Sequence, residues 1–552
     1  AASDVYKRQQ YNVRAKGNIR IRPWLRLNNN MDFTVVDYHQ PMLYYSLQLP
    51  QRMIEHGGQP INPITNPDGT WTYAAVLNGY AGFAEGSSYQ QDDKFTMKDK
   101  LGIEIDVVKD VLKISGDLSY LFARNKRERV TNMYTGYRGP DTPITVNESQ
   151  GSTLENLRQD TNYLSSNIYG EYTPKLGDDH TLKLLAGWNL ETKKYRGTTI
   201  KREGLTVPSK PSFGLMDGLT SDPVVSGYDW SYVGAFFRAN YGYQGKYLAE
   251  FSCRYDGSSK FLPKNRWNFF WGASAGWRIT EEKFMENLRD YVNELKLRAS
   301  YGEVGNQNGI GRYDGIQLYN YKSNSGALLG NSKGTYVESA GLVSTVRTWE
   351  RIYNYNLGID FGFFNNRFTG TFEIFKKKND NMLVSRLHPG VLGGTAPSTN
   401  SGKFEANGYD VSLTWHDKIG SFNYHVGGTL TYMTNKLVDG GNIVVSAGYN
   451  EAVNGYPLNS VFGYRYVGKV QNQDQLDYYV DKYVGSNSIA LPANLRLGDH
   501  MYEDVNKDGK LTQDDLVFLG TDDPKVTFAF DLGLEWRGFD VSAIFQGAAQ
   551  RT

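Results

Sequence analysis

The chain has 552 residues, with 60 Lys plus Arg against 59 Asp plus Glu, and a single Cys. This balance excludes a global field that would draw nucleic acid, and one cysteine excludes an intrachain disulfide. Mean hydropathy is −0.53, and no run of about 18 apolar residues occurs, which excludes a transmembrane helix.

Apolar and polar residues alternate with a period of two along the whole chain, which is typical of β-strands. The pattern predicts roughly sixteen strands in eight hairpins. In the fifth hairpin the alternation is looser, and the polar stretch Glu281–Leu288 is expected to form a short helix. In chain order the predicted hairpins cover Ile19–Phe33, Leu101–Phe122, Ile168–Leu190, Val233–Cys253, Phe269–Tyr301, Tyr353–Ile374, Tyr409–Tyr432 and Val526–Phe545.

The last hairpin indicates where these strands lie. Its first strand runs from Val526 to Trp536, about ten residues, which is enough to cross a bilayer at a tilt of about 45°. Trp536 and Phe539 flank the turn, as an aromatic girdle at the headgroups would. The apolar face is therefore expected to touch lipid, and the polar face to line a lumen. A set of soluble β domains is the alternative, but no composition shift marks a linker.

The connections alternate in length. Within hairpins they are short, as at Lys109-Asp110, Asn365-Asn366 and Arg537-Gly538. This asymmetry predicts short periplasmic turns and long extracellular loops. Tyr and Trp on the long loops would suit binding of sugars or peptides, or would simply pack the loops together. The long connections are Asn125–Thr161, Thr192–Ser231, Glu303–Glu350, Lys378–Phe404 and Lys436–Lys525.

One motif matches a twelve-residue calcium loop, with its sharp turn at Gly509. Asp515 stands at position twelve in place of the usual Glu, so it should reach the ion with one oxygen and bind weakly. A structural Ca²⁺ is expected, and a simple Asx-rich turn is the alternative. The predicted metal ligands are Asp504, Asn506, Asp508, Lys510 through its carbonyl, Thr512 and Asp515.

Signals of catalysis are poor. Gly272–Gly276 fits the G-x-S-x-G pattern, but that nucleophile elbow requires a strand-to-helix turn, and here the pattern lies inside an alternating strand. The histidines form no H-E-x-x-H motif. Cys253 lies on an apolar strand face, where packing is its expected role. We therefore expect no enzyme activity.

Four long blocks of the sequence share the motifs of one known family: Tyr232–Phe284, Leu295–Asn306, Asn400–Trp415 and Asp504–Gly547. They resemble the SusC/RagA group of TonB-dependent outer-membrane transporters. The resemblance covers nearly the whole chain and implies an all-β, transmembrane, antiparallel up-and-down barrel of about 22 strands, closed by an N-terminal plug. It also implies import of oligosaccharides or peptides, energised through the TonB complex, with a SusD-like lipoprotein as lid.

The ends of the chain carry two further expectations. Residues 1–9 are expected to be a sequencing or cloning scar, because Asp4–Gln9 is what the transposon end of sequencing libraries would translate to. Residues 10–552 are then a partial barrel of about 16 of 22 strands, with the plug and the missing strands outside this sequence. A passive porin or a surface adhesin on the same barrel is the alternative function.

Overall fold

The protein is described from a computed structural model. It describes residues 7–41, 63–77, 80–85, 87–139, 142–146, 152–322, 328–330, 332–339, 341–385, 391, 397–441, 448–484 and 495–550. The chain divides into two compact units, and each is described by itself below. Unit 1 comprises Ala1–Glu171 and Gly187–Gly234, and unit 2 comprises Tyr172–Ala186 and Ala235–Thr552.

Strands dominate both units. In the described residues they are β1 Lys7–Arg22, β2 Leu25–Pro41, β3 Tyr89–Val108, β4 Leu112–Thr131, β5 Tyr134–Tyr137, β6 Pro143–Val146, β7 Thr153–Tyr172, β8 His180–Glu203, β9 Val224–Tyr243, β10 Tyr247–Ser258, β11 Trp267–Arg278, β12 Val292–Asn306, β13 Tyr319–Lys322, β14 Leu328–Leu329, β15 Ser332–Lys333, β16 Tyr336–Ser339, β17 Glu350–Phe363, β18 Phe368–Val384, β19 Thr399–Ile419, β20 Phe422–Asp439, β21 Gly448–Glu451, β22 Ser460–Tyr464, β23 Tyr466–Lys469, β24 His500–Tyr502, β25 Leu516–Thr521, β26 Val526–Trp536 and β27 Phe539–Ala549.

Sixteen of these strands form one sheet, in the order β1-β2-β3-β4-β7-β8-β9-β10-β11-β12-β17-β18-β19-β20-β26-β27. The eight predicted hairpins are its sequential pairs, so the expectation of sixteen antiparallel strands in eight hairpins is confirmed. The other strands form small sheets between the hairpins, pairing β5 with β6, β13 with β16, β14 with β15, β23 with β24, and β21-β22-β25 in a row.

Helices are short. The α-helices of the described residues are α1 Tyr73–Leu77, α2 Tyr80–Glu85 and α3 Gln473–Tyr479, and a π-helical turn covers Val480–Val484. The stretch expected to be a short helix, Glu281–Leu288, forms 3₁₀ turns at Ile279–Glu281 and Lys283–Leu288. None of the described helices is long and apolar enough to span a membrane. Further 3₁₀ turns cover Phe213–Leu215, Pro263–Asn265 and Gln513–Asp515.

The backbone conformations of the tight turns match the residue types found there. Arg537 and Gly538 have φ values of 46° and 90°, as a two-residue type I′ hairpin turn requires at both central positions. At the β17–β18 turn, Phe364, Asn365 and Asn366 have φ values of 57°, 57° and 58°, a conformation that Asn tolerates better than most residues. These turns fix the register of their hairpins, with Trp536 opposite Phe539 and Phe363 opposite Phe368.

Several strands extend further than expected. Residues 125–131 belong to β4, 153–161 to β7, and 192–203 to β8, although all were expected to lie in long connections. The apolar alternation ends there, but the backbone ladder continues, since ladder hydrogen bonds need no apolar face. The long loops are therefore shorter than predicted.

Much of the apolar face of the large sheet is not buried in a protein core. Side chains on one face of β26 and β27 remain open, with Phe530 55% and Phe539 73% exposed. Such contiguous apolar exposure marks a surface covered by something other than water. Fully buried apolar side chains lie in two kinds of place. Leu511 is buried in a cluster within a connection, and Val130 of β4 packs with Leu154 of β7 at the long-loop ends of their strands.

The N-terminal residues of the described part belong to the sheet. Lys7, Arg8 and Gln9 pair with β2 opposite His39, Tyr38 and Asp37. Residues 1–6, the rest of the expected scar, lie outside the described residues. Backbone pairing is open to almost any sequence, so the origin of residues 1–9 stays a prediction.

Candidate functional site: the acidic loop and the lumenal wall

The acidic loop Asp504–Asp515 lies in unit 2 between β24 and β25. Its one apolar residue in the second half, Leu511, is fully buried against Val470, Tyr479 and Tyr483. A 3₁₀ turn closes the loop at Gln513–Asp515, where Thr512 is the N-cap. Burial of Leu511 therefore anchors the loop to the cluster beneath it.

Three side chains of the loop accept hydrogen bonds from backbone N–H groups of the same loop. Asp504 Oδ2 accepts from the Gly509 N–H at 3.0 Å, and Asn506 Oδ1 accepts from the Asp508 N–H at 3.0 Å. Asp508 Oδ1 accepts from the Lys510 N–H at 2.8 Å. Gly509 has a φ of +83°, which favours glycine. The three side chains predicted as the first metal ligands thus belong to one tight turn.

Asp515 is fully buried, and its carboxylate ties the two halves of the loop together. Oδ1 accepts from the Val505 N–H at 2.9 Å and from the Asn506 N–H at 3.4 Å, and Oδ2 accepts from the Thr512 N–H at 2.8 Å. An ionised carboxylate offers about four lone-pair sites, so three accepted bonds leave one on Oδ2. Asp515 is therefore able to give a cation one oxygen.

One further oxygen of the loop has no partner within the protein. Asp504 Oδ1 is buried and has no hydrogen-bond partner, and such an atom costs free energy unless something satisfies it. Thr512 Oγ1 accepts from the Asp514 N–H at 3.3 Å. Across the described residues, no group of three or more His, Cys, Asp and Glu is already arranged as a metal site. The calcium assignment stays a prediction.

A second candidate site, which the sequence analysis missed, is the polar face of β7, β8 and β9 in unit 1. We call it the lumenal wall, and define it as Tyr163, Glu191, Tyr195, Tyr228 and Trp230. Tyr195 and Tyr228 are stacked with ring centroids 4.8 Å apart, and Tyr163 and Trp230 lie 6.5 Å apart. The Tyr163 hydroxyl donates to Glu191 Oε2 at 2.8 Å. Aromatic rings and a carboxylate thus share one half-buried surface.

Polar neighbours complete the wall. Gln159 Nε2 donates to the Tyr195 hydroxyl at 2.8 Å, and Lys193 Nζ lies 5.9 Å from the centre of the Tyr228 ring. These side chains point opposite to Leu164 and Ile168 of β7, which belong to the apolar face. The sequence contained a signal for the lumenal wall, because its large aromatic residues occupy polar-face positions and break the alternation of apolar and polar residues.

In unit 2 the polar face carries charge. Arg298 Nε donates to Asp360 Oδ1 at 3.1 Å, and Lys296 Nζ lies 3.5 Å from Asp360 Oδ2. Arg298 also pairs with Glu373. A side chain at Gly358 would collide with the Arg298 guanidinium, because its Cβ would lie 2.8 Å from Cζ. The polar face is thus built for water and ions, as the lumen of a barrel is.

The two features considered for catalysis both lie within strands of the sheet. Gly272–Gly276 lies in the interior of β11, so no strand-to-helix elbow occurs there. Cys253 is half-buried on the apolar face of β10, opposite Trp271.

A large antiparallel sheet with an exposed apolar face and a polar face defines a transmembrane β-barrel protein of the outer membrane. Residues 32–543 match the family model described as TonB dependent receptor-like, beta-barrel, and the chain belongs to this family. Members of this family are proteins of the Gram-negative outer membrane, which is where this chain is located, as expected. They are TonB-dependent transporters.

Relatives confirm the resemblance to the SusC/RagA group. The chain is 24% identical to TonB-dependent receptor P26 of Formosa agariphila over 98% of its own length and 53% of that receptor. It is 28% identical to TonB-dependent receptor SusC of Bacteroides thetaiotaomicron over 45% of this chain and 26% of SusC. The chain thus spans about half the length of the P26 receptor.

A solved structure shares the fold. The structure described as the RagAB peptide transporter superimposes with a TM-score of 0.73 at 19% identity, over 99% of this chain and 58% of that one. The RagAB peptide importer in an open-open state gives the same TM-score of 0.73 at 17% identity, over 99% of this chain and 57% of that one.

Proposed function

We propose that this chain forms most of the barrel of an active outer-membrane importer of oligosaccharides, or of peptides, energised by the TonB complex and covered by a SusD-like lipoprotein. The lumenal wall is the observation that carries the proposal. Flat rings cover the apolar faces of a sugar at low entropic cost, and Glu191, Gln159 and Lys193 beside them offer hydrogen-bond partners.

The substrate class rests on chemistry as well as on relatives. Stacked rings beside a carboxylate and an amide suit the alternating apolar and hydroxylated faces of a sugar. The name of the RagAB transporter specifies peptides, so peptides remain the second substrate class of this proposal. The lid and the TonB complex are proposed from family membership.

The test uses the full-length transporter with its lid, and a panel of defined oligosaccharides and peptides. Trp230→Ala should weaken binding of the preferred substrate about tenfold, since an aromatic contact contributes roughly 0.5–1.5 kcal/mol beyond the area it buries. The matched control is Trp188→Ala, which removes a 45% exposed ring from the apolar face of β8. Equal affinities for both variants would contradict a role for the wall.

Energisation is tested separately, by uptake in living cells with and without an uncoupler of the proton gradient. Active import should stop when the gradient collapses, while binding at the surface persists. Uptake that continues unchanged would indicate a passive porin, and binding without uptake in energised cells would indicate an adhesin.

We also propose that the acidic loop holds one Ca²⁺ in a structural role. Its ligands would be side-chain oxygens of Asp504, Asn506 and Asp508, the Lys510 carbonyl, Thr512 through water, and one oxygen of Asp515. The buried, unpartnered Oδ1 of Asp504 supports this assignment. External calcium modules bind at roughly 10⁻⁴–10⁻³ M.

Calorimetry of the full-length protein with calcium chloride tests the site. The wild type should give a binding heat near millimolar calcium, and Asp504→Ala with Asp508→Ala should abolish it without unfolding the barrel. Asp514→Ala, at an exposed neighbouring carboxylate, is the control that should leave the heat unchanged. Absence of heat in the wild type, or equal heat in the double variant, would leave only an Asx turn.

A further inference from the structure

Polar side chains interrupt the apolar face of unit 1. On β2 the outward residues are Leu27, Asn29 and Met31, and on β3 Asp99 stands directly opposite Met31. Asn29 Nδ2 donates to Asp99 Oδ1 at 2.6 Å. A carboxylate on the lipid-facing side of a barrel is costly and marks a functional position by default.

The depth of this pair follows from the strand. The apolar stripe of β3 runs ten residue steps from Ile105 to Phe95, which is about 23 Å of height at ~3.3 Å per residue and a tilt of about 45°. Asp99 lies six steps from Ile105 and four from Phe95, so it is inside the apolar band, nearer its long-loop end. Its partner across the ladder is Tyr120 of β4.

Below the pair, toward the short turns, the face is hollow. A groove of about 600 Å³ runs over the small residues Gly17, Gly116 and Ser166 between apolar walls such as Ile103 and Ile168. A Cβ at Gly116 would meet Ile103 Cγ2 at 3.5 Å and Ile168 Cγ1 at 3.8 Å. The groove exists because these positions carry small side chains, and Asn29 lies at its edge.

Above the pair, toward the long loops, the same face becomes aromatic and then basic. Tyr120 donates through its hydroxyl to Asn162 Oδ1 at 2.6 Å, and Phe122 follows two residues on. Arg124 packs its guanidinium 5.3 Å from the Phe122 ring centre. Aromatic residues followed by basic ones are typical of the boundary between acyl chains and headgroups.

The basic group is only partly neutralised. Arg124 Nε lies 2.7 Å from Asp160 Oδ1, and Arg158 Nε lies 3.3 Å from Asp160 Oδ2. Two guanidinium groups thus share one carboxylate, and the Arg158 side chain is 58% exposed. The group formed by Arg124, Arg158 and Asp160 therefore carries one net positive charge, which suits a phosphate.

We infer that this outer face of β1–β4 and β7 binds one molecule of a phosphorylated glycolipid with 3-hydroxyacyl chains. Arg124 and Arg158 hold the phosphate, the Asn29–Asp99 pair meets the chain hydroxyl, and the chain fills the groove. A hydroxyl both donates and accepts, so it satisfies the second oxygen of Asp99 and the second N–H of Asn29 together. A plain acyl chain would leave both unsatisfied within the apolar band.

The occupant follows from where the face lies and how it is charged. The groove is continuous with the lipid-facing face of the barrel, so bilayer lipid is the molecule already in contact with it. A second copy of this chain, docked about a twofold axis, would bring Asp99 toward the Asp99 of its neighbour and place like charges together. Along this face an apolar groove, a polar pair and a basic group follow one another toward the long loops. This sequence matches the chain, hydroxyl and phosphate of a lipid, and it favours a lipid over a second copy.

The test measures lipid binding to the full-length protein by native mass spectrometry after delipidation. The probes are diphosphoryl lipid A, monophosphoryl lipid A and a phosphatidylethanolamine. Diphosphoryl lipid A should bind at one copy per chain and at least about tenfold more tightly than the phosphatidylethanolamine, because it offers Arg124 and Arg158 more anionic oxygens and its chain hydroxyl can bond to the Asn29–Asp99 pair. Equal binding of the lipid A probes and the phosphatidylethanolamine would overturn the proposal, since it would indicate ordinary bilayer contact.

Variants separate the parts of the site. Arg124→Gln with Arg158→Gln should remove the preference for two phosphates over one, and the milder Arg158→Gln alone should reduce it. Gly116→Leu should weaken both lipid A probes about tenfold by filling the groove. Gly428→Leu is the matched control, because it adds the same side chain on the apolar face of β20, where a Cβ would meet Phe530 at 3.5 Å.

Two outcomes would overturn the inference at this stage. One is that Gly116→Leu and Gly428→Leu bind the lipid A probes equally. The other is that delipidated protein runs as a dimer that Gly116→Leu dissociates, which would make the groove a protein interface. Heat-modifiable mobility in gels checks that each variant forms a barrel.

Discussion

Arg127 and Asp92 face each other across β3 and β4, with Arg127 Nε 2.8 Å from Asp92 Oδ1, and the Asp92 side chain is only 3% exposed. Gln90 Nε2 also donates to Asp92 Oδ2 at 2.6 Å. The pair lies on the polar face of unit 1, beyond the apolar stripe. A carboxylate buried to this degree requires its partner, because the charge is otherwise uncompensated.

Removing the cation should therefore be costly. Arg127→Ala should lower the free energy of unfolding of the full-length protein by about 3–5 kcal/mol, the usual cost of breaking a buried ion pair from one side. Arg14→Ala is the control, because Arg14 and Asp32 pair at 2.9 Å with Arg14 63% exposed, and such a pair contributes about 0–1 kcal/mol. Denaturant unfolding in lipid vesicles measures both, and similar losses would contradict the assigned difference in burial.

The two faces of β19 should respond differently to charge. Leu413 lies on the apolar face opposite Gly428, and Thr414 lies on the polar face opposite Gly427. Leu413→Arg should destabilise the barrel by about 2–4 kcal/mol near the bilayer midplane, and Thr414→Arg should cost less because its side chain points into the lumen. Folding yield and unfolding free energy in vesicles are the measurements. Comparable losses in the two variants would show that the faces are assigned wrongly.

Topology is open to a labelling experiment. Asn366 lies in the short β17–β18 turn and Thr142 in the long connection that precedes β7. We expect Thr142→Cys to react with a membrane-impermeant maleimide on intact cells and Asn366→Cys to react only after the outer membrane is opened, because short turns face the periplasm. Cys253→Ser in both variants removes the native thiol. Reaction at position 366 alone on intact cells would reverse the orientation.

Close backbone approach restricts Gly408 of β19. A Cβ there would lie 2.3 Å from the Tyr432 carbonyl oxygen and 2.6 Å from the Phe375 ring, and a backbone atom yields less readily than a side chain. Gly408→Ala should cost about 1–3 kcal/mol of stability by overpacking. Gly428→Ala has 3.5 Å to its nearest neighbour and should be nearly neutral. A neutral Gly408→Ala would mean that the two strands separate easily.

Much of the fold follows from the sequence, because a period of two is a local property. Each of the eight hairpins could be predicted from alternation alone, and the turn at Arg537-Gly538 from its residue types. The resemblance to a known family was likewise readable, since it rests on contiguous blocks. The limits of β4 and β8 could not be predicted, because their outer parts are held by ladder bonds to neighbouring strands and show no alternation.

The candidate sites depend on tertiary structure to different degrees. The spacing of Asp504, Asn506 and Asp508 determined by itself that the acidic loop is a turn around Gly509. Only the folded chain shows that the Asp515 carboxylate accepts three backbone hydrogen bonds, which leaves it one oxygen for a cation. Likewise, the sequence placed Asn29 and Asp99 on apolar faces, but only strand register brought them into contact across 70 residues. Local alternation determines which face a side chain takes, whereas pairing between distant strands decides which side chains meet on it.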